Sequence, residues 1–138
     1  DVLNKKSGVL GISGISSDMR DIENESWNKD NPRATLALNM YHQRVKRYIG
    51  AFAAEIGGID ALIFTGGVGE NGPESREEIS LGLEYMGVNF DKDANEGVRG
   101  KMKLLSTPES RVKVMVVPTN EEKVIAQDTV SVINQQNS

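Results

Sequence analysis

The spacing of apolar residues predicts one long amphipathic helix over residues 32–56. Apolar side chains recur there at intervals of three and four residues, which places them on a shared helical face. Asp30 or Asn31 can cap this helix, and Pro32 suits its first turn. The two glycines at 57–58 end it. The predicted inward face consists of Leu36, Met40, Ile49, Phe52, Ala53 and Ile56, widened by Leu38, Tyr41, Val45 and Tyr48. Because of its length, we expect this helix to cross the whole domain.

Two continuous apolar runs predict β-strands, at residues 59–64 and 112–117. Such runs are typical of parallel strands that are buried on both faces. A helix is predicted after each strand, over residues 74–85 and from about residue 120 to residue 135. The order predicts an α/β fold of βαβα type, in which right-handed crossovers join parallel core strands after a long N-terminal helix. Two strands are too few for a stable sheet, so we expect more strands from another part of the protein.

The remaining segments have weaker patterns. Residues 7–20 mix small and aliphatic side chains without a helical period, which indicates loops and short helical turns. Residues 88–90 fit a short edge strand, whereas the charged stretch 91–108 is expected to be an exposed excursion. Thr119 and Glu122 have the spacing of a capping box at the start of the last helix.

Composition and charge exclude several classes of protein. The 138 residues carry a net charge of −4 and only 5% aromatic side chains, which argues against nucleic-acid binding. No apolar run has membrane-spanning length. The absence of cysteine excludes disulfides and thiolate metal sites, and it agrees with a cytoplasmic location. The first residues, 1–3, resemble neither an initiator methionine nor a signal peptide, so we expect a piece of a longer protein.

A glycine-rich segment follows the first predicted strand. Gly66, Gly67 and Gly69 lie within four residues, and Pro73 opens the next predicted helix. Glycine lets the backbone approach a ligand where a Cβ atom would collide. The following helix start offers unpaired N–H groups to an anion. The segment therefore predicts a loop that binds a nucleotide or a phosphate, although a plain strand-to-helix turn is the simpler alternative.

The same segment also matches a dinucleotide-binding pattern. Residues 67–72 fit G-x-G-x-x-G, and Asp91 and Asp93 lie near the distance at which such folds place an acid for the ribose. In those folds the third glycine packs inside the helix, whereas here Pro73 delays the helix start. An NAD-binding oxidoreductase domain is therefore an alternative from another functional class.

Two further clusters carry candidate chemistry. Asp18 and Arg20 could contact a ribose hydroxyl and a phosphate or base, or they could form a simple ion pair. Glu121 and Glu122 at the start of the last helix could hold magnesium, or they could only complement the helix dipole. His42 has no second histidine or cysteine nearby in sequence, so it is interpreted as a packed or solvated side chain.

Four motifs in register resemble the C-terminal part of the acetate kinase family. They lie at residues 3–8 with 11–14, 17–20, 64–71 and 117–122, in the family's order, and cover nearly the whole chain. The resemblance implies a partial C-terminal lobe with the ribonuclease H-like fold of actin-like ATPases. It also implies reversible phosphoryl transfer from ATP to acetate, giving acetyl phosphate and ADP with Mg²⁺, usually in a homodimer.

The resemblance also assigns roles to individual residues. Asp18, Met19 and Arg20 match the family's nucleotide-contacting triplet. The adenosine segment is matched by Gly67, Val68, Gly69, Glu70 and Asn71. Glu121 matches the glutamate that is associated with magnesium.

The resemblance implies that residues 1–138 are only the nucleotide-binding portion of such an enzyme. The acetate-binding lobe, the catalytic residues and the start of this lobe are expected outside the chain, so the chain alone should be inactive. A kinase for propionate or another short-chain acyl group stays open, because the carboxylate pocket lies elsewhere. A non-catalytic module for nucleotide binding or dimerisation is a further alternative.

Overall fold

The structure is a computed structural model that describes residues 2–136, apart from the side chains of residues 4, 121 and 136. In chain order its elements are α1 (Val2–Lys5), α2 (Gly8–Ser13), α3 (Met19–Trp27), α4 (Pro32–Ile56), β1 (Ala61–Phe64), α5 (Gly66–Asn71), α6 (Pro73–Ser80), a 3₁₀ turn (Glu84–Met86), α7 (Lys92–Asn95), β2 (Lys103–Leu104), β3 (Lys113–Val116) and α8 (Glu121–Gln136).

Three short strands form one mixed sheet in the order β1–β3–β2. β1 and β3 are parallel, with Phe64 opposite Val116, which confirms the predicted parallel pair. β2 runs antiparallel to β3, with Leu104 opposite Met115. Residues 88–90 contribute isolated bridges rather than a full edge strand. The α/β class is thus confirmed, with one antiparallel strand that the sequence pattern did not predict.

The main core lies between the sheet and helices α4 and α6. Its completely buried members are Val88, Leu105, Val112, Val114 and Val116. Burying an aliphatic side chain of this size contributes roughly 1.5–3 kcal/mol. A second, smaller cluster joins Ile22 of α3 to Ala34, Ala37 and Leu38 of α4.

The prediction of an exposed excursion over residues 91–108 is wrong. This stretch contains α7 and β2, and it buries Asn95, Val98 and Leu105. The backbone N–H of Leu105 donates to the carbonyl of Val114 at 2.7 Å, which pins the stretch to β3. Its few apolar residues are scattered among charged and small ones, apart from the pair Leu104–Leu105, so their burial leaves no periodic pattern in the sequence.

Helix α4 has the predicted bounds. The Asn31 side chain caps it by accepting from the backbone N–H groups of Arg33 and Ala34. Gly57 ends it with a φ of 78°, a left-handed conformation that favours glycine. The helix is not N-terminal, however, because α1, α2 and α3 precede it. Within residues 2–136, no helix combines the length and hydropathy needed to cross a bilayer.

The prediction of the buried face of α4 is largely wrong. Within that predicted set Leu38 and Ala53 are buried, Tyr41, Val45 and Ile49 are partly buried, and Leu36, Met40, Tyr48, Phe52 and Ile56 are exposed. Ala34 and Ala37 are completely buried in the second cluster instead. Small side chains let neighbouring helices approach closely. A prediction that is based on the spacing of large apolar residues overlooks such alanines.

Strand β1 is not buried on both faces as predicted. Phe64 is buried, but Ile63 is 52% exposed. The two residues are neighbours in the strand and point to opposite faces, and only the face of Phe64 is covered by the core among the described residues.

The two helices after the strands differ in detail from the prediction. α6 ends at Ser80, where Leu81 is extended, so the helix expected to reach residue 85 is shorter. α8 begins at Glu121, one residue later than predicted, because Asn120 caps it by accepting from the backbone N–H of Lys123 at 3.0 Å. The capping box of Thr119 and Glu122 is therefore wrong.

Candidate functional site

Two of the predicted motifs line one cleft of about 510 Å³. From the start of α3 come Ser17, Asp18, Met19, Arg20 and Glu23, and from the α5 region come Gly67, Val68, Asn71 and Gly72, with Arg99 closing the lining. The two segments are far apart in sequence, and tertiary folding brings them together. A groove of about 570 Å³ against α4 contains none of the predicted site residues.

The glycine segment is a short helix rather than the predicted loop. Gly66 has a φ of 70°, which lets the chain turn sharply from β1 into α5. A Cβ atom on Gly69 would lie 3.2 Å from the backbone carbon of Phe64, so glycine allows α5 to pack closely on β1. On Gly67 a Cβ would meet nothing within 4 Å. Because Gly67 lines the cleft, its lack of a side chain leaves room there for a ligand.

Asp18 and Arg20 form an exposed ion pair at the start of α3. Asp18 caps the helix, because its Oδ1 accepts from the Arg20 backbone N–H at 2.9 Å. The Arg20 guanidinium also donates to Oδ1 and Oδ2, with the shortest distance 2.6 Å. These hydrogen bonds lower the pKa of Asp18 to about 2. The sequence left two alternatives for this pair, a simple ion pair or residues that contact a ligand. The structure shows the ion pair, and both residues also line the cleft.

Glu70 is engaged within the protein. Its Oε1 accepts from the backbone N–H of Gly66 at 2.9 Å and from the backbone N–H and hydroxyl of Thr119, both at 2.8 Å. The bonds from Thr119 lower the pKa of this carboxyl. Glu70 does not line the cleft. Its side chain ties α5 to the turn that precedes α8.

Glu23 and Arg99 are cleft residues that sequence reasoning missed. Glu23 lies one helical turn after Met19 on α3, and an α3 helix predicted over 19–27 would have placed both on one face. Its Oε1 accepts from the Ser75 hydroxyl at 3.1 Å. Burial is the main cause that raises the pKa of Glu23. Arg99 donates to the Asn71 carbonyl, and its Nη2 lies 3.6 Å from a carboxylate oxygen of Glu74.

A buried guanidinium fixes the end of α5. Arg76 is completely buried. It donates to the Gly69 and Glu70 carbonyls at 2.9 and 3.1 Å, to the Val98 carbonyl at 2.7 Å and to Asn95 Oδ1 at 2.9 Å. Burial lowers its pKa. The last carbonyl groups of a helix have no N–H donor within the helix. Arg76 supplies donors to two such carbonyls of α5 and thereby holds the glycine segment in place.

The predicted metal-associated residue is described only in part. Glu121 begins α8, but its side chain lies outside the described residues. Among the residues that are described, no group of three or more His, Asp or Glu side chains could hold a metal ion. The magnesium role of Glu121 stays a prediction. Asp91, weighed for dinucleotide binding, caps α7 by accepting from the Ala94 N–H at 2.8 Å and does not line the cleft.

Comparisons with known proteins agree on one family. The family model described as the acetokinase family matches residues 1–127. The acetate kinase of Caldanaerobacter subterraneus subsp. tengcongensis is 61% identical over 129 residues, which are 94% of this chain and 32% of that protein. The crystal structure of Porphyromonas gingivalis acetate kinase superposes with a TM-score of 0.88 at 55% identity, over 96% of this chain and 33% of that one.

A more distant structure extends the same likeness. A propionate kinase from Francisella tularensis superposes with a TM-score of 0.79 at 35% identity, over 91% of this chain and 31% of that one. The chain thus spans about a third of the length of the relatives it matches. It belongs to the acetokinase family.

Proposed function

We propose that this chain is the nucleotide-binding part of an acetate kinase, which transfers the γ-phosphoryl group of ATP reversibly to acetate and gives acetyl phosphate and ADP. The observation that carries the proposal is the single cleft shared by residues 17–20 and the α5 segment. The family membership supports the reaction, and the likeness to acetate kinase structures supports a ribonuclease H-like lobe of the actin-like ATPase type.

In this proposal each cleft segment has a distinct task. Arg20, whose side chain is 87% exposed, uses its remaining N–H donors on the nucleotide, and Asp18 fixes its orientation. Gly67 lets the backbone run along the nucleotide, and Val68 offers it an apolar contact. Gly69 and Asn71 complete the short helix that holds these contacts. Glu70 acts indirectly, by fixing α5 against Thr119.

A single carboxylate would be enough for magnesium that arrives with the nucleotide. Mg²⁺ usually keeps several waters and is held by one or two carboxylates together with substrate phosphates. Glu121 at the start of α8 would be that carboxylate. When bound, Mg²⁺ would neutralise phosphate charge during phosphoryl transfer. The described residues themselves bind the nucleoside and position the α5 backbone.

The acyl acceptor would be selected outside this chain. The cleft residues suit a nucleotide, and we propose no acetate-binding role for any of them. The likeness to a propionate kinase makes a related acyl kinase the second candidate, and acetate and propionate can be compared only in a complete enzyme. A homodimer and a cytoplasmic location are further parts of the proposal.

Calorimetric titration of Mg-ADP into the 138-residue chain tests the proposal. We expect saturable binding, weakened on the order of tenfold in Arg20→Ala because a charged hydrogen bond is lost. Circular dichroism of both proteins controls for folding. Selective binding of NAD, or no ADP binding by the folded chain, would contradict the proposal.

Activity gives an independent test. The chain alone should form no acetyl phosphate from ATP and acetate, because phosphoryl transfer needs groups on both sides of the phosphate. A hybrid in which this chain replaces the matched third of the P. gingivalis enzyme should regain activity. Acetyl phosphate formation by the isolated chain would show that its catalytic groups lie within residues 1–138.

A further inference from the structure

We propose that Glu23 supplies the free carboxylate oxygen that accepts a hydrogen bond from the nucleoside, and that Asp18 does not. The inference rests on the proposed function and names a new specificity-determining residue of that site. The ligand group is an O–H or N–H donor of the nucleoside, either a ribose hydroxyl or a base amino group, and nucleotide analogues distinguish the two.

Both carboxylate oxygens of Asp18 are already engaged by Arg20, although the side chain is 39% exposed. Oδ1 accepts from the backbone N–H and from Nε of Arg20, at 2.9 and 3.1 Å. Oδ2 accepts from Nε and Nη2 of the same residue, at 3.2 and 2.6 Å. A nucleoside hydroxyl would compete with these bonds for the same two oxygens. Asp18 is therefore a cap and a positioning residue for Arg20.

Glu23 has the opposite pattern. Its Oε1 accepts from the Ser75 hydroxyl, whereas its Oε2 receives no hydrogen bond from any described residue. The residue is half-buried and lines the cleft as well as an adjoining groove of about 630 Å³. Oε2 is open to the solvent of the cleft, so a ligand bound there can replace water as its hydrogen-bond donor.

A buried relay fixes the orientation of Glu23. His42 is 4% exposed and Ser75 is 1% exposed, and His42 Nε2 lies 3.0 Å from Ser75 Oγ. Since the Ser75 hydroxyl donates to Glu23, His42 Nε2 must carry the proton that it donates to Ser75. His42 Nδ1 then bears a lone pair, which agrees with its lack of a partner among the described residues. The relay joins α4 and α6 to α3.

Gly72 leaves room for the Glu23 carboxylate in this position. A Cβ atom there would lie 2.8 Å from the Val68 carbonyl oxygen, 3.3 Å from the Ser75 Cβ and 3.5 Å from Glu23 Oε1. The glycine thus lets the cleft floor approach the carboxylate.

The charge of Glu23 selects the part of the nucleotide that it can contact. A carboxylate repels phosphate groups, and the guanidinium groups of Arg20 and Arg99 line the same cleft and suit those groups better. The neutral nucleoside, which has ribose hydroxyls and a base edge, is the part that can donate to Glu23. An adenine presents an amino donor where hypoxanthine presents a carbonyl acceptor.

The experiment compares Glu23→Gln with the charge-matched control Asp21→Asn in the 138-residue chain. Asp21 lies on the same helix, is exposed and does not line the cleft. The readout is Mg-ADP affinity by calorimetry, with circular dichroism as the folding control. We expect Glu23→Gln to lose about tenfold in affinity and Asp21→Asn to stay within about twofold.

Ligand variants identify the donor without relying on a mutation. If the ribose donates, the wild-type chain prefers ADP over 2′-deoxy-ADP or 3′-deoxy-ADP, and Glu23→Gln loses this preference. If the base donates, the wild-type chain prefers ADP over IDP, and Glu23→Gln reduces or reverses the preference because its amide can donate to the IDP carbonyl. Either pattern supports the proposal.

Three outcomes count against the inference. Equal affinity of the wild-type chain for ADP, both deoxy forms and IDP overturns it, since no nucleoside donor is then read. Loss of discrimination in Asp18→Asn but not in Glu23→Gln also overturns it. Both results leave the proposed function intact if Arg20→Ala weakens ADP binding. A folded chain that binds no nucleotide overturns the proposed function and this inference together.

Discussion

Arg76 and Arg20 lie within one small region, yet burial gives these two arginines opposite roles. Arg76 is completely buried and donates its hydrogen bonds to backbone carbonyl oxygens and to one side-chain amide oxygen. The side chain of Arg20 is 87% exposed, and its hydrogen bonds within the described residues go to the neighbouring Asp18 carboxylate. A buried guanidinium must have every donor satisfied by the fold, whereas an exposed one keeps donors for a ligand. The comparison separates the scaffold of the site from its contact surface.

The largest expected effect comes from removing the buried guanidinium. Arg76→Leu should lower the free energy of unfolding by about 3 kcal/mol, because the carbonyls of Gly69, Glu70 and Val98 lose their donor in a buried setting. Urea denaturation measures the change. Arg20→Ala is the matched control, and its denaturation midpoint should stay close to that of the wild-type chain. An equal decrease in the free energy of unfolding in both variants would contradict the assignment of Arg76 to the scaffold and of Arg20 to the contact surface.

A smaller loss of stability is expected at Glu70. Glu70→Gln keeps the shape of the side chain but weakens the hydrogen bonds from Gly66 and Thr119, so the denaturation midpoint at neutral pH should fall. The folded-state pKa of Glu70 lies below its ordinary value of 4.5. Its contribution is therefore present above 4.5 and is lost as pH falls through the lowered pKa. The difference between the two proteins should shrink in acid, and a difference that persists there would point to packing.

The smallest effect is expected at Asp18. Its pKa of about 2 lies below the ordinary value of 3.8, so its contribution to stability is complete above 3.8 and is lost as pH falls toward 2. Thermal unfolding of the wild-type chain and Asp18→Asn should therefore converge over that acid range. The pair with Arg20 is exposed, so the effect should also decrease with added salt. Curves that stay parallel would show that the cap, rather than the charge, stabilises α3.

The sequence predicted those parts of the fold and site that depend on local chemistry. The cap at Asn31, the glycines beside β1 and the Asp18–Arg20 pair are all visible as short motifs. Arg76 was not identified, because an isolated arginine in a charged helix gives no sign of burial. Glu23 was missed for a related reason: α3 is mostly polar, and its two buried residues, Ile22 and Ser26, do not form an apolar period.

Errors in the predicted core have a common physical origin. The prediction ranked large apolar side chains as inward, whereas α4 packs through alanines and leaves Phe52 and Ile56 exposed. Helix packing is decided by how closely two backbones approach, and the residues that permit close approach are small. The joining of two distant motifs in one cleft likewise depends on tertiary packing, which a one-dimensional pattern does not contain.

The bridge from Glu70 to Thr119 has a consequence for the timing of local opening. The backbone amides of Gly66 and Thr119 share a single acceptor oxygen, although more than fifty positions separate them along the chain. Both amides lose their hydrogen bond when the Glu70 carboxylate moves away. Their rates of hydrogen exchange with solvent should therefore change together when conditions or mutations alter this bond. The start of the glycine helix and the approach to Glu121 thus behave as one kinetic unit.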